Sequence, residues 1–301
     1  MAAIVNVFSY VLYDSAGEQV ERDYDRHKDT CWRYWANIPA LLVIIDHAFP
    51  RHAMRLHVDP ASSKHPLFEF VQTLSNRHPR LEVRTVHRDG SKELPMFWRM
   101  LPLWDPAVRL CHPRDIDSLP TLEELRAVRY FEEHERFLVQ GMRSHPNHNG
   151  PSCRILGGLC GFRADELRRR RRIPQTFDEF VALAQGAKWG DDLRLLRQHF
   201  VDRRSFLFRR RVLDTLLTAQ VHPYRRKRTA TLSLDELREV DLPQVSAEAQ
   251  DLLRRLSAWA GEPVRATGQA LEETLDLGGA AAEAIRASIA DFPAAREYYG
   301  L

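Results

Sequence analysis

Over its first 117 residues the chain alternates short apolar runs with amphipathic segments, and few folds accommodate that pattern. Ile4 to Phe8 is a compact run of strand-forming residues, and Ala40 to Ile45 (ALLVII) is apolar at every position, as a parallel strand covered on both faces would be. Leu81 to Val86 alternates with period two, and Ala107 to Cys111 reads as another short strand. Between them, the patterns at Asp23–Asn37, Pro66–Leu74 and Met96–Leu101 predict helices. Strands interleaved with helices predict a parallel, right-handed α/β sheet.

From about Thr229 the pattern becomes helical, through Leu232–Val240, Ala247–Ala260 and Gly268–Ala290, with breaks at Pro243 and Pro263. The expected organisation is therefore a domain over residues 1–225 and a helical C-terminal extension over 226–301. That extension packs on the main domain or mediates a homodimer. A hydrophobic fraction of 44% and six tryptophans are enough to build a core. No stretch approaches the ~20 apolar residues of a transmembrane segment, and the first residues lack the basic start and apolar run of a signal peptide. Cys31, Cys111, Cys153 and Cys160 are few and irregularly spaced, which suits a reducing compartment. A cytoplasmic location is expected.

The densest chemical signal is Arg114-Asp115-Ile116-Asp117-Ser118, just past a strand. Thr121 and Glu124 follow with the spacing of a capping box, so a helix begins there, with Leu122, Leu125, Val128 and Phe131 as its buried stripe. Asp115 and Asp117 thus fall between a strand end and a helix start, where open α/β sheets place ligands. Two carboxylates at i and i+2 can reach one hard cation, Mn2+ or Mg2+. His145, His148, Cys153 and Cys160 can be drawn as a zinc site, but the spacing matches no established one. They can equally be ordinary loop residues, and the preferred reading has one histidine complete the metal site of Asp115 and Asp117. Gly157-Gly158-Leu159-Cys160-Gly161 is a glycine-rich turn without the order of either nucleotide-binding loop. Its glycines would let backbone approach a sugar or diphosphate closely. Asp191 and Asp192 fall at a helix start, as caps or as groups that face an acceptor hydroxyl.

Three basic runs, Arg168–Arg172, Arg209–Arg211 and Arg225–Arg228, stand out against a net charge of only +3. They are read as solvated helix faces or local phosphate contacts. No nucleic-acid partner is expected.

Taken in order, these segments resemble bacterial and viral glycosyltransferase-like proteins of the GT-A class. The likeness rests on Val7-Phe8-Ser9-Tyr10, Phe97-Trp98-Arg99-Met100-Leu101, Arg114 to Ser118 and Glu124-Leu125-Arg126-Ala127-Val128. It continues through Arg143-Ser144-His145-Pro146-Asn147-His148, Gly157 to Gly161, and Gly190-Asp191-Asp192-Leu193. Ser144, Cys160 and Asp192 depart from the family pattern, at places where an acid, a tryptophan and an amide are usual. The resemblance implies a GT-A-like, Rossmann-type mixed sheet flanked by helices, a nucleoside-diphosphate sugar donor and a divalent metal. It implies Arg114, Asp115, Arg143, Gly157 and Gly158 about the donor. Asp115, Asp117 and His145 or His148 hold the metal, and Asp191 or Asp192 orients an unidentified acceptor (saccharide, lipid-linked sugar, protein or small natural product). Two other functions use the same features: a metal-dependent sugar nucleotidyltransferase, which usually has a glycine-rich basic loop after the first strand, and a non-catalytic polyanion binder built on the arginine runs.

Overall fold

The computed structural model describes residues 5–13, 24–60, 62, 65, 67–87, 95–143, 155–183, 191–201, 212–217, 230–259 and 265–299. Its centre is a mixed eight-stranded sheet with the order β3-β2-β1-β4-β6-β5-β7-β8. The strands are β1 Val5–Leu12, β2 His52–Val58, β3 Leu81–Thr85, β4 Val108–Pro113, β5 Val139–Arg143, β6 Cys160–Arg163, β7 Val212–Leu216 and β8 Ala230–Leu232. β1 pairs parallel with β4, and β5, β7 and β8 form a second parallel run. β6 is antiparallel to both β4 and β5, which makes the sheet mixed rather than wholly parallel. Among the described residues, no helix is long and apolar enough to cross a membrane.

The run Ala40–Ile45 is not a strand. It lies inside α1, Tyr24–Ala48, which continues through Pro39. All six of its side chains are buried. A helix covered all round shows no polar stripe, so its short apolar core looks the same in sequence as a doubly covered strand. The strand belongs instead to His52–Val58, whose sequence HAMRLHV hides a fully buried element behind polar residues. The other predicted elements near the N-terminus fall where expected, with α2 at Leu67–Arg77, a 3-10 helix at Pro95–Leu103 and α3 at Leu122–Glu133.

The chain divides into two compact units. One comprises Met1–Ser9, Gly90–Asp115 and Glu123–Leu242. The other comprises Tyr10–Asp89, Ile116–Leu122 and Pro243–Leu301.

In the second unit, α1 packs on β2, α2 on β3, and helices Arg265–Leu275 and Gly279–Asp291 pack on α1. Arg77, in the last turn of α2, donates to Ser288 at 3.2 Å and pairs with Asp291. The buried Tyr299 donates to the Trp35 carbonyl at 3.3 Å. The two C-terminal helices are separated at Gly278 and Gly279, with φ of 73° and 85°, a region that glycine enters without steric penalty. The Gly278 carbonyl lies 3.0 Å from His47 Nε2, so this break also anchors the end of α1.

Candidate functional site

The site in the first unit grows out of the end of β4. β1 lies between β2 and β4, so the chain builds outward on one side of β1 and restarts on the other. Open α/β sheets hold ligands at such a reversal, beyond the carboxyl ends of the strands. Arg114 follows β4 directly. Its backbone N–H donates to the Ser9 carbonyl at 2.9 Å, and it bridges to Leu159.

The Arg114 side chain is buried and turned inward. Nη1 donates to the Pro113 and Cys160 carbonyls, each at 2.7 Å, while Nη2 lies 3.8 Å from the Met142 sulfur. The guanidinium also sits 5.8 Å from the centre of the Phe8 ring. These contacts are carbonyls, a sulfur and a ring, so Arg114 ties the ends of β4, β5 and β6 together.

Asp115 points the other way and is exposed. Arg99 Nη1, from the 3-10 helix, donates to Asp115 Oδ1 and forms an ion pair with it. Arg99 itself is buried, so a guanidinium already withdrawn from water fixes this carboxylate. Gly158 closes the other side. A methyl group placed on its Cα would overlap both oxygens and Cγ of Asp115. Gly158 sits in a tight turn between Leu156 and Leu159, whose N–H donates to the Leu156 carbonyl at 3.1 Å. The glycine-rich turn thus accommodates the aspartate of the Asp-x-Asp element, a close approach that any side chain would block. Gly157 precedes it in the same turn, and its carbonyl lies 3.5 Å from the Cys160 sulfur.

Arg143, at the end of β5, is held by a residue that no sequence motif marked. Its Nε and Nη2 donate to Oδ1 and Oδ2 of Asp214 on β7, at 2.9 and 2.6 Å. Both partners are buried. The Asp214 carboxyl is pushed above the usual range because burial outweighs the two bonds from Arg143. A second pair lies in the same unit: Nε2 of the buried His112 on β4 is 3.4 Å from a carboxylate oxygen of the partly buried Glu132 on α3. An imidazole beside a carboxylate is a combination that can help to hold a metal.

Asp117 is exposed in the turn after Asp115. His145 and His148 lie outside the described residues, as does Cys153. Asp191 and Asp192 open the helix Asp191–Leu196, as expected, but their side chains lie outside the described residues. The structure therefore brings Arg99, Asp115 and Gly158 together, and ties Arg143 to Asp214. Arg99 and Asp214 each had one sequence signal: a lone charge inside a mostly apolar run, PMFWRMLPL and VLDTL.

The five-arginine run is largely consumed within the fold. Arg168 donates to the Leu103 and Val108 carbonyls at 2.8 and 2.6 Å. Arg169 and Arg170 both bind Glu166, at 2.6 and 2.7 Å. These bonds, the one from Arg169 foremost, pull the Glu166 pKa down to about 2. Arg171 is exposed at φ 49°. The other two basic runs lie outside the described residues.

No family model matches the chain, and no curated protein matches it. Among solved structures it is similar to a mannosyltransferase from Pyrobaculum calidifontis, determined in complex with GDP-Man and Mn2+. The identity is 13%, the match covers 98% of this chain and 76% of that one, and the TM-score is 0.34. Neither the architecture nor the chemistry described above depends on that likeness.

Proposed function

We propose that this chain is a metal-dependent glycosyltransferase that moves a sugar from a nucleoside-diphosphate sugar to an acceptor. One observation supports this above the others: Asp115, just past β4, is fixed by Arg99 and seated on Gly158 while its carboxylate stays exposed. An exposed, oriented carboxylate, with a second exposed aspartate two residues later, is the oxygen chemistry that a hard divalent cation takes.

In this reading Asp115 and Asp117 hold Mn2+ or Mg2+, and the bound ion would offset the charge on the leaving nucleoside diphosphate. Arg99 holds the Asp115 rotamer in place before the ligand arrives, which reduces the ordering cost of binding. Gly158 leaves the space that this rotamer needs. Arg114 and Arg143, committed to internal bonds, form the wall of the donor site rather than gripping the donor. His145 or His148 completes the diphosphate site, and Asp191 or Asp192 orients the acceptor hydroxyl.

The test is Asp117→Asn, which keeps size and removes charge. The parent should be stabilised by Mn2+ together with UDP or GDP, and the variant should lose that stabilisation while melting normally without ligand. Transfer should fall by about a hundredfold or more, as when an electrostatic transition-state contact is removed. Unchanged turnover would defeat the reading, since asparagine replaces aspartate in a helix cap or turn at little cost.

A further inference from the structure

The second unit holds part of the Asp-x-Asp turn, and that part is fixed from within the unit. Ile116 and Asp117 belong to it, as do α1 and the C-terminal helices. Ile116 stands between the two exposed aspartates and is itself buried. Its carbonyl accepts a hydrogen bond of 3.0 Å from Nδ2 of Asn37, a buried residue of α1 that lies 79 positions earlier. A carbonyl oxygen can be met only by the NH2 end of an amide, so this bond also settles which way the Asn37 side chain is turned. A peptide unit is planar, and holding its carbonyl at one end sets the direction of the N–H and Cα at the other. The plane held here is the one between Ile116 and Asp117. Asp117 therefore leaves a backbone that is anchored twice, by the buried Ile116 side chain and by Asn37.

The turn of α1 that carries Asn37 lacks one backbone bond, for a reason visible in the sequence. Pro39 has no N–H, so the carbonyl four residues back, at Trp35, cannot receive its intrahelical bond. A buried carbonyl without a donor is costly. Tyr299, in the helix Pro293–Tyr299, supplies the donor: its hydroxyl reaches the Trp35 carbonyl at 3.3 Å. Burial, then the neighbouring Tyr298, pushes the Tyr299 phenol well above its ordinary pKa, so the hydroxyl keeps its proton. The Trp35 ring stacks on His65 at 4.4 Å, and His65 meets Tyr298 edge-on. Two successive tyrosines of the C-terminal helix thus close onto this one turn of α1.

We propose that Asn37 is a positioning residue for the metal ligand Asp117, and that Tyr299 sustains it by meeting the carbonyl that Pro39 leaves open. The role rests on the metal-dependent reading given above, in which Asn37 touches neither metal nor substrate. It holds the Asp117 backbone in one orientation before the cation arrives, so less order has to be imposed on binding. The C-terminal helix, remote in sequence, supports the metal ligand through α1.

The experiment measures Mn2+ binding to the whole chain by competition with a metal-sensitive dye. Melting and the backbone amide resonance of Asp117 are recorded without metal. Asn37→Ala should weaken Mn2+ binding by about tenfold, the worth of one ordering hydrogen bond, and should displace the Asp117 amide signal. Tyr299→Phe, which removes one hydroxyl and keeps the ring, should weaken it by about threefold. Should Asn37→Ala fail to fold, Tyr299→Phe carries the test. A purely structural role predicts lower melting with Mn2+ affinity unchanged, and an unmoved Asp117 amide in Asn37→Ala overturns the role by itself. Asp117→Asn separates the two ways of failing. If it abolishes Mn2+ binding while Asn37→Ala and Tyr299→Phe bind as the parent does, the positioning role is overturned and the metal reading stands. If the parent binds no Mn2+, or Asp117→Asn binds as the parent does, the metal reading fails and the positioning role falls with it.

Discussion

In the Arg143–Asp214 pair the side chains are 3% and 11% exposed, and both carboxylate oxygens are occupied by the guanidinium fork. In the Arg99–Asp115 pair the arginine is 8% exposed but the aspartate is 55% exposed, and Arg99 meets Oδ1. Residue types and unit are the same, yet the two pairs differ in what water can reach. Closing both partners off makes a joint between β5 and β7, because each buried charge is held by the other across the two strands. Leaving one carboxylate open gives an oriented group that still has coordination to offer. The first pair serves the architecture, and the second is available for chemistry.

The contrast is tested most severely at Asp214. Asp214→Ala should cost about 3–5 kcal/mol of stability in urea denaturation, since buried Arg143 would lose both bonds to this carboxylate. The wild-type carboxyl is raised on folding, so the folded chain binds its proton more tightly than the unfolded one. Its contribution is therefore complete below the unfolded pKa and is lost as pH rises through the folded one. Asp214→Asn should remove that decline from the pH–stability profile just above the ordinary aspartate range. A profile identical to wild type would show that the pair does not behave as a buried joint.

Gly158→Ala addresses the open pair. Asp115 is exposed and can swing toward solvent to make room, so the stability cost should be only about 1 kcal/mol. The carboxylate would lose its seat, and the stabilisation by Mn2+ with nucleoside diphosphate should vanish. Retention of that stabilisation would separate Asp115 from metal binding. The smallest effect is expected at Arg99→Gln. A pair with one partner in water contributes little, so melting should change by no more than about 1 kcal/mol. Releasing the Asp115 rotamer should weaken Mn2+ binding by up to about tenfold, as read by competition with a metal-sensitive dye. Tighter Mn2+ binding would mean that the repulsion of Arg99 outweighs its orientation of Asp115.

Much of the fold could be read in the chain. β1, α2, β3, β4 and α3 fall where apolar period and turn residues predict them. The errors have two causes. Ala40–Ile45 was expected as a strand and is helix, and the strand His52–Val58 was not expected, because burial on all sides erases the polar face from which period is read. β5, β6, β7 and β8 are three to five residues long and escaped notice, because, unlike the five-residue β3, they show no sustained alternation of apolar and polar residues. At the site, Asp115 and Gly158 were each visible as motif residues, but their contact was not. A side chain on that glycine would meet the aspartate, and no spacing along the chain reveals this.

What the sequence determined by itself is the local chemistry: an α/β alternation, an Asp-x-Asp element after a strand, a glycine turn and a helical C-terminal stretch. Propensity, period and spacing act between neighbours along the chain, so they can be read without a structure. The tertiary structure alone decided which charges met. Arg99 and Asp115 lie 16 residues apart, and Arg143 and Asp214 lie 71 apart. A lone charge in an apolar run shows that some partner is needed, because a buried unpaired charge is too costly to keep. Which partner it finds depends on strand order and register, and those are set by packing the whole sheet rather than by any segment of it.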